Sequence, residues 1–528
     1  MLIAIEQDLM KSSPKNYILI NTNITTLDPL FPKATWVSIE NDKFFKIGYG
    51  DDWKDLNAKS SHIVDGSGKT VLPGLIDAHL HVVSYAKSLV TLSLDPGKNV
   101  FSISDIQSII HRYSRNSPPG TWIFGKGYHD FYLVEKRHPD RRDLDKATPD
   151  HPVQLTHRSG HAHVLNSLAL KYVGIGKETG DPAGGMIERD LKTGEPTGLL
   201  YEMGDFLSAR IPPITPAELE RGLQMANGEL LASGITSIHD ASPHNDRDRW
   251  DLFKSWKAHG MLLPRVNMML AYRSFKKKNC KPLSAAVDKS HLRLGAVKII
   301  LDDTTGRLHP PQKDLNEMVL EVHAAGMQVA IHAIEEASIA AACSAIEYAL
   351  DKIPTKDHRH RIEHCSVCPP SLAGQIASLG IRVVTQPPFI YYNGERYLET
   401  VPEEQLEHLY PFRTLLQHGI NLAGSSDCPI VPANPLIGIY AAVSRTGQKN
   451  HIIGRQEKVS TGDALRMYTT NAAQVSFEES IKGTITPGKL ADLVVLNGDP
   501  IGLPPDELPR LQVEMTMIGG EVVWQRES

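Results

Sequence analysis

From Thr215 to about Ser426 the chain alternates short β-branched runs with amphipathic stretches, an alternation that leaves few folds open. The clearest unit comes first. Thr215 and Glu218 make a capping box, and Pro216 suits the first helical position. Leu219, Leu223, Ala226 and Leu230 share one face of a helix that ends at Gly234. A strand over Thr236 to Ala241 follows. Further strands are expected over Arg265 to Leu270, Ala296 to Leu301, Gln328 to Ala333, His360 to Cys365, Arg382 to Gln386 and Asn421 to Ser426. Most are spaced by the roughly 30 residues that a βα unit needs. With the strand leading into His79 they make eight. The expected fold class is α/β, a (β/α)8 TIM barrel whose chemistry sits at the carboxyl ends of its strands.

Both ends of the chain depart from this rhythm. Residues 1–70 read as short strands with a turn at Asn41-Asp42, and residues 476–528 do likewise, turning at Gly519-Gly520. The two are expected to form one small composite β-sandwich domain beside a barrel spanning 71–475. Residues 93–207 are too long for an ordinary connection and rich in Pro, Gly, His and Arg. They are expected to be an insertion after the first barrel strand, a lid-like subdomain over the barrel mouth.

Charge and composition exclude some partners. Lys+Arg 56 against Asp+Glu 61 gives a net charge of -5 with no basic block, so no nucleic-acid partner is expected. No apolar run is long enough to cross a bilayer, so no membrane partner is expected either. Glu6 and Asp8 fall where a secretory signal needs an unbroken apolar core, and the chain is expected to be cytoplasmic. Five cysteines (Cys280, Cys343, Cys365, Cys368 and Cys428) are odd in number and scattered, which argues against a disulfide framework. Cys365 and Cys368 form a C-x-x-C with no second pair at zinc-finger spacing. They are read as two half-buried thiols.

The chemistry begins at His79 and His81. Residues i and i+2 of a strand point to one face, so this pair can ligate a single ion. Other ligand types follow on separate later strands: His332 ends the run MQVAIH, His364 ends HRHRIEH, and Asp427 follows INLAGSS. Lys298 places an amine inside the apolar run LGAVKIILDD. It is either salt-bridged to Asp302 on the same face, or held neutral by burial and carboxylated by carbon dioxide into an anionic bridge between two cations.

The run PGLIDAHLH, the barrel residues Lys298, His332, His364 and Asp427, and the terminal GKLADLVVL together resemble the amidohydrolase superfamily. The segments LTHRSGHAHVLNSLAL, DPAGGMIERDLKTGEPTGLLYE and GSSDCPIVPANPLIGIYAAVSR are similar to its YtcJ-like branch, which includes N-substituted formamide deformylases. The resemblance implies a distorted (β/α)8 barrel and a divalent metal cofactor, usually zinc. The more buried ion would be held by His79, His81, Lys298 and Asp427, and the more exposed one by Lys298, His332 and His364. It also implies that His161 lies close to the substrate, with Arg158 beside it as a contact, and that the protein dimerises. Trp122 and Tyr128 are further substrate-binding candidates in the same insertion.

The reaction expected is cleavage of a non-peptide C–N bond in a small-molecule substrate by a metal-activated hydroxide. Asp427 would act as general base and then acid, and His161 would stabilise the oxyanion. Where the branch commonly has His-Ala-Ile-Gly-Asp, this chain has His332, Ala333, Ile334, Glu335 and Glu336. A mononuclear zinc deaminase with Glu335 as proton shuttle and a structural Lys298 is therefore a second reading. A metal-binding barrel without catalysis is a third.

Overall fold

Eight parallel strands form the central sheet, each hydrogen-bonded to the next in chain order. They are β1 (Leu75–Leu80), β2 (Ile235–Asp240), β3 (Arg265–Ala271), β4 (Leu292–Ile300), β5 (Val329–Ala333), β6 (Arg361–His364), β7 (Arg382–Thr385) and β8 (Leu422–Gly424). This computed structural model describes residues 16–56, 62–96, 100–182, 184–277, 291–302 and 307–527. Glu6, Asp8 and Cys280 lie outside the described residues. All eight strands stand where the sequence pattern puts them, although β8 stops at Gly424, short of the expected Ser426.

Alternation along these strands separates two environments. Val297 and Ile299 of β4, Val329 and Ile331 of β5, Ile362 of β6 and Val383 of β7 pack with helical residues such as Leu315, Val319, Ile339 and Ile346 in one large apolar cluster. Each such side chain, fully buried, contributes roughly 1.5–3 kcal/mol. On the alternate face Ala296 and Ala330 join Ala241 and Met269 in a small inner layer. Two residues further along β4 and β5, on that same inner face, come Lys298 and His332.

The barrel nearly closes between its last and first strands. Past the end of β8, the Asp427 amide donates to the His79 carbonyl at 2.8 Å, and the His81 amide donates to the Cys428 carbonyl at 2.9 Å.

The terminal segments build two further sheets. One joins Lys43–Gly48, Trp36–Glu40, Asn16–Ile20 and His62–Asp65; the other joins Glu521–Gln525, Val513–Ile518, Leu493–Leu496, Thr70–Pro73, Asn23–Thr25 and Lys33–Ala34. Leu19, Val37 and Phe44 share a buried cluster with Val71, Leu493, Val495 and Met517, so both ends of the chain supply one core. The Gly519-Gly520 turn needs φ of +57° and +78°, which glycine adopts without strain, and it joins Ile518 to its partner Glu521. Arg265 at the start of β3 meets Asp492 through two hydrogen bonds of 2.7 and 2.9 Å, and both side chains are buried.

Residues Val82–Ala226 form a second compact unit, which contains the whole of 93–207. Its sheet runs Met186–Arg189, Pro196–Tyr201, Ala162–Leu165, Val153–His157, Ile123–Tyr128 and Leu92–Ser93. Helix Ile103–Ser114 starts with the capping box of Ser102 and Asp105, and helix Arg141–Ala147 with that of Asp140 and Asp143. The expected Thr215/Glu218 box is present at the start of helix Pro216–Ala232. Among the described residues no helix is long and apolar enough to cross a membrane. Cys343, Cys365 and Cys368 are thiols outside any disulfide. Cys365 and Cys368 are fully buried rather than half-buried, because both pack into the large apolar cluster behind β6.

Candidate metal centre

His79 ends up almost wholly buried on β1, and His81 follows one residue past the strand. Their rings stand edge to face with centroids 5.4 Å apart. The seam that closes the barrel brings Asp427 to them: its Oδ1 lies 2.9 Å from His81 Nε2 and 3.5 Å from His79 Nε2. The potential ligand atoms of these three residues all lie within 4.8 Å of one another, close enough to share a cation.

The other imidazoles continue the group. His364 stacks at a tilt on His79 with ring centroids 4.9 Å apart and against His332 at 4.4 Å. Two of these positions depend on unusual backbone. His364 has φ +74° and Asp427 φ +56°, a left-handed conformation that turns each side chain away from the strand's simple alternation.

Hydrogen bonds fix which ring nitrogens face inward. His79 Nδ1 donates to Glu363, leaving Nε2 toward Asp427. His364 Nδ1 donates to Gln386 Oε1 at 2.8 Å, and Gln386 in turn donates to Ser425 Oγ at 3.1 Å. Glu363 is itself clasped by Arg361, whose Nε and Nη2 donate to its two oxygens and whose Nη2 also reaches the Ala78 carbonyl at 2.8 Å. Asp77, two residues before His79 on the same face, accepts the Ser426 hydroxyl at 2.5 Å.

Electrostatics favour neutral imidazoles and an ionised carboxylate, the forms that bind metal. Burial, reinforced by the Lys298 charge, pushes His79 down to about 3. Burial also holds His332 well below the usual histidine value and lowers His364. Burial alone would raise Asp427. The hydrogen bond from His81 and the surrounding imidazoles of His79, His81 and His364 outweigh it and hold the carboxyl well below its ordinary range.

Lys298 bears on both readings of its amine. Its side chain is 3% exposed, and Nζ is buried with no hydrogen-bond partner. The ion pair with Asp302 is not formed. The strand ends at Ile300, and Asp302 lies beyond it in an antiparallel bridge with His309, so the shared strand face expected from the alternation does not extend that far. Burial pushes the amine down to about 8, against the raising effect of Glu363 and Asp427. An orphaned buried amine beside acidic and imidazole ligands fits a group that becomes a metal-bridging carbamate.

Glu335 stands at the N-terminal boundary of helix Glu336–Lys352, its amide donating to Ser338 Oγ at 3.1 Å. Trp122, Tyr128, Arg158 and His161 belong to the second unit. Trp122 stacks on Phe124, Tyr128 is fully buried with its hydroxyl 2.9 Å from His138 Nδ1, and Arg158 donates to Asp95 at 2.5 Å. His161 is largely exposed and pairs with Glu202 at 2.8 Å. Glu363, Arg361 and Gln386 were missed by sequence reasoning. The spacing of Arg361 and Glu363 would have placed both on the inner face of β6.

Known proteins resemble this chain over nearly its whole length. A family described as the amidohydrolase family matches residues 62–524. The N-substituted formamide deformylase of Arthrobacter pascens is 30% identical over 543 aligned residues, covering 97% of this chain and 99% of that protein. The putative amidohydrolase YtcJ of Bacillus subtilis (strain 168) is 29% identical, covering 87% and 90% respectively. In fold, the chain matches a structure described as an uncharacterized metal-dependent hydrolase from Pyrococcus horikoshii OT3, with a TM-score of 0.74 and 24% identity, covering 93% of this chain and 99% of that one.

Proposed function

Because the chain belongs to the amidohydrolase family, we propose that it hydrolyses a non-peptide carbon–nitrogen bond, in an N-formyl or other N-acyl amine, using two divalent ions of the zinc type. His79, His81 and Asp427 would hold one ion, His332 and His364 the other, and carboxylated Lys298 would bridge them. The observation that carries the two-ion reading is the buried, unpartnered Nζ of Lys298. The formamide substrate class is supported by the deformylase relative.

Bound there, the ions supply a water of lowered pKa and a polarised carbonyl. Asp427, ionised near neutral pH, accepts the proton of the attacking water and delivers it to the departing nitrogen. Glu363 and Gln386 keep His79 and His364 in the tautomer that presents Nε2 to the centre. Arg361 holds the Glu363 carboxylate in place for that task.

The test pairs metal content with product release. Purified protein supplied with zinc and bicarbonate is offered N-formyl and N-acyl amines, and the freed amine is measured. Wild type should release amine, and Lys298→Ala should carry about two equivalents of metal less than wild type and release none. Equal metal content in the two proteins would overturn the bridging role of Lys298. Wild-type protein that is fully metal-loaded yet inert toward the whole amide series would overturn the substrate class.

A further inference from the structure

His81 is the one imidazole of the proposed centre that stands beyond its strand. His79, His332 and His364 lie within β1, β5 and β6, whereas β1 ends at Leu80. The ladder that fixes its neighbour's backbone therefore leaves the His81 ring to be held by other means. His79 and His364 each present Nδ1 to an acceptor oxygen, of Glu363 and of Gln386. His81 Nδ1 lies instead 3.3 Å from the hydroxyl of Ser242, in the loop that leaves β2.

That loop is tied to three strands. The Ala241 amide donates to the Leu80 carbonyl of β1 at 2.9 Å, one residue before His81. Asp240, the buried last residue of β2, accepts the Ser242 amide at 3.1 Å and the Asn245 side-chain amide at 2.7 Å, both on Oδ1. The first of these is an Asx turn, which sets the backbone of Ser242 directly. Asn245 is buried as well, and its side-chain amide also donates to the Met269 carbonyl of β3 at 3.0 Å. Its own carbonyl accepts the Ala271 amide at 2.9 Å. Helix Arg247–Ala258 then begins at once, with Asp246 as its cap. A hydroxyl mounted on backbone pinned at both ends is ordered before it meets its partner, so little further freedom is lost in the contact.

The chemistry suits that placement. His81 Nε2, 2.9 Å from Asp427 Oδ1, is the nitrogen turned toward the centre, so Nδ1 is the outer one. An imidazole that binds metal through Nε2 carries its proton on Nδ1, and that N–H needs an acceptor to fix the ring's orientation. A serine oxygen can accept it. At 3.3 Å the contact is at the long end of a hydrogen bond, so its effect belongs at the lower end of what such outer partners contribute.

We infer that Ser242 is a positioning residue for the metal centre: its hydroxyl accepts the Nδ1 proton of His81 and holds that ring with Nε2 toward the ion that His79, His81 and Asp427 would share. The inference rests on the metal-centre reading proposed above and adds to it a partner from the β2 loop.

Zinc binding to the full-length chain tests it, read by competition with a chelator of known affinity. Valine and threonine are close in shape and differ by the hydroxyl. With unchanged circular dichroism spectra, Ser242→Val and Ser242→Ala should hold one equivalent of zinc about tenfold more weakly than wild type. Ser242→Thr should stay within about twofold of wild type. Loaded with cobalt(II), Ser242→Val should show an altered visible spectrum and Ser242→Thr the wild-type one. Ser242→Val that holds zinc as tightly as wild type would overturn the inference. So would Ser242→Thr as weak as Ser242→Val, since shape alone would then matter. Wild-type chain that binds no zinc would overturn the metal-centre reading itself, which tells the two failures apart.

Discussion

Replacing Lys298 by methionine should make the metal-free protein more stable and the metal-loaded protein less so. Methionine keeps the length of the side chain and removes the amine that finds no partner at the barrel's inner face. Burial lowers that amine from 10.5 to about 8. At about 1.4 kcal/mol for each tenfold change in proton affinity, carrying the charge inside the folded barrel costs roughly 3 kcal/mol. The depressed value fixes the pH dependence. The cost is fully present below pH about 8, shrinks as pH rises toward 10.5, where the unfolded chain also loses the proton, and vanishes above that. Urea unfolding of chelator-treated wild type and Lys298→Met near neutral pH should therefore differ by up to about 3 kcal/mol in favour of the variant. The gap should close in alkaline buffer. With zinc and bicarbonate added at a thousand times the Kd the order should reverse, because the ligand then adds about 4.1 kcal/mol that only the wild type gains, more than the cost of the buried charge. A metal-free variant less stable than wild type near neutral pH would refute the reasoning, since it would mean that the amine is paired in the folded state.

Three other substitutions probe the remaining parts. Asp427→Asn should retain metal while turnover of any amide substrate falls by about 10²–10⁴, checked by metal analysis alongside amine release. Glu363→Gln removes the charge shared by Arg361 and His79. Metal affinity, measured by chelator competition, should fall about tenfold to a hundredfold. Stability should fall by about 3–5 kcal/mol, because Arg361 is left buried without its counter-charge. For Asp492, burial raises the carboxyl but Arg265 outweighs it, so the folded value is depressed. The stability this pair contributes is present above the ordinary carboxylate value and lost as pH falls through the folded one. Asp492→Asn should cost about 3–5 kcal/mol in urea unfolding near neutral pH and lose less than wild type on acidification.

Much of the barrel could be read in advance because period and position carry it. Val297, Ile299, Val329 and Ile331 alternate with Lys298 and His332, and the odd member of an apolar run is conspicuous in one dimension. His79 and His81 are legible for the same reason. Glu363 was not, since R-I-E-H reads as a run ending in the one ligand His364, and only the paired register of β5 and β6 shows a carboxylate buried between an arginine and a histidine. The φ values of His364 and Asp427 are local exceptions to strand geometry that no periodicity announces. The meeting of Tyr128 with His157 depends on two strands about thirty residues apart pairing side by side. Nothing in the chain's local pattern specifies that pairing.

The seam at which Asp427 meets His79 also sets an order of events during synthesis. The ribosome delivers His79, His81, Lys298, His332 and His364 before Asp427, and the last strand docks on the first through the same backbone link that carries this carboxylate to the histidines. A nascent chain that ends anywhere before Asp427 has neither a closed ring nor a full ligand set. The ligand set proposed above is therefore complete only once Asp427 has been made. Products terminated before Asp427 should lack both that carboxylate and the backbone seam that brings it to His79.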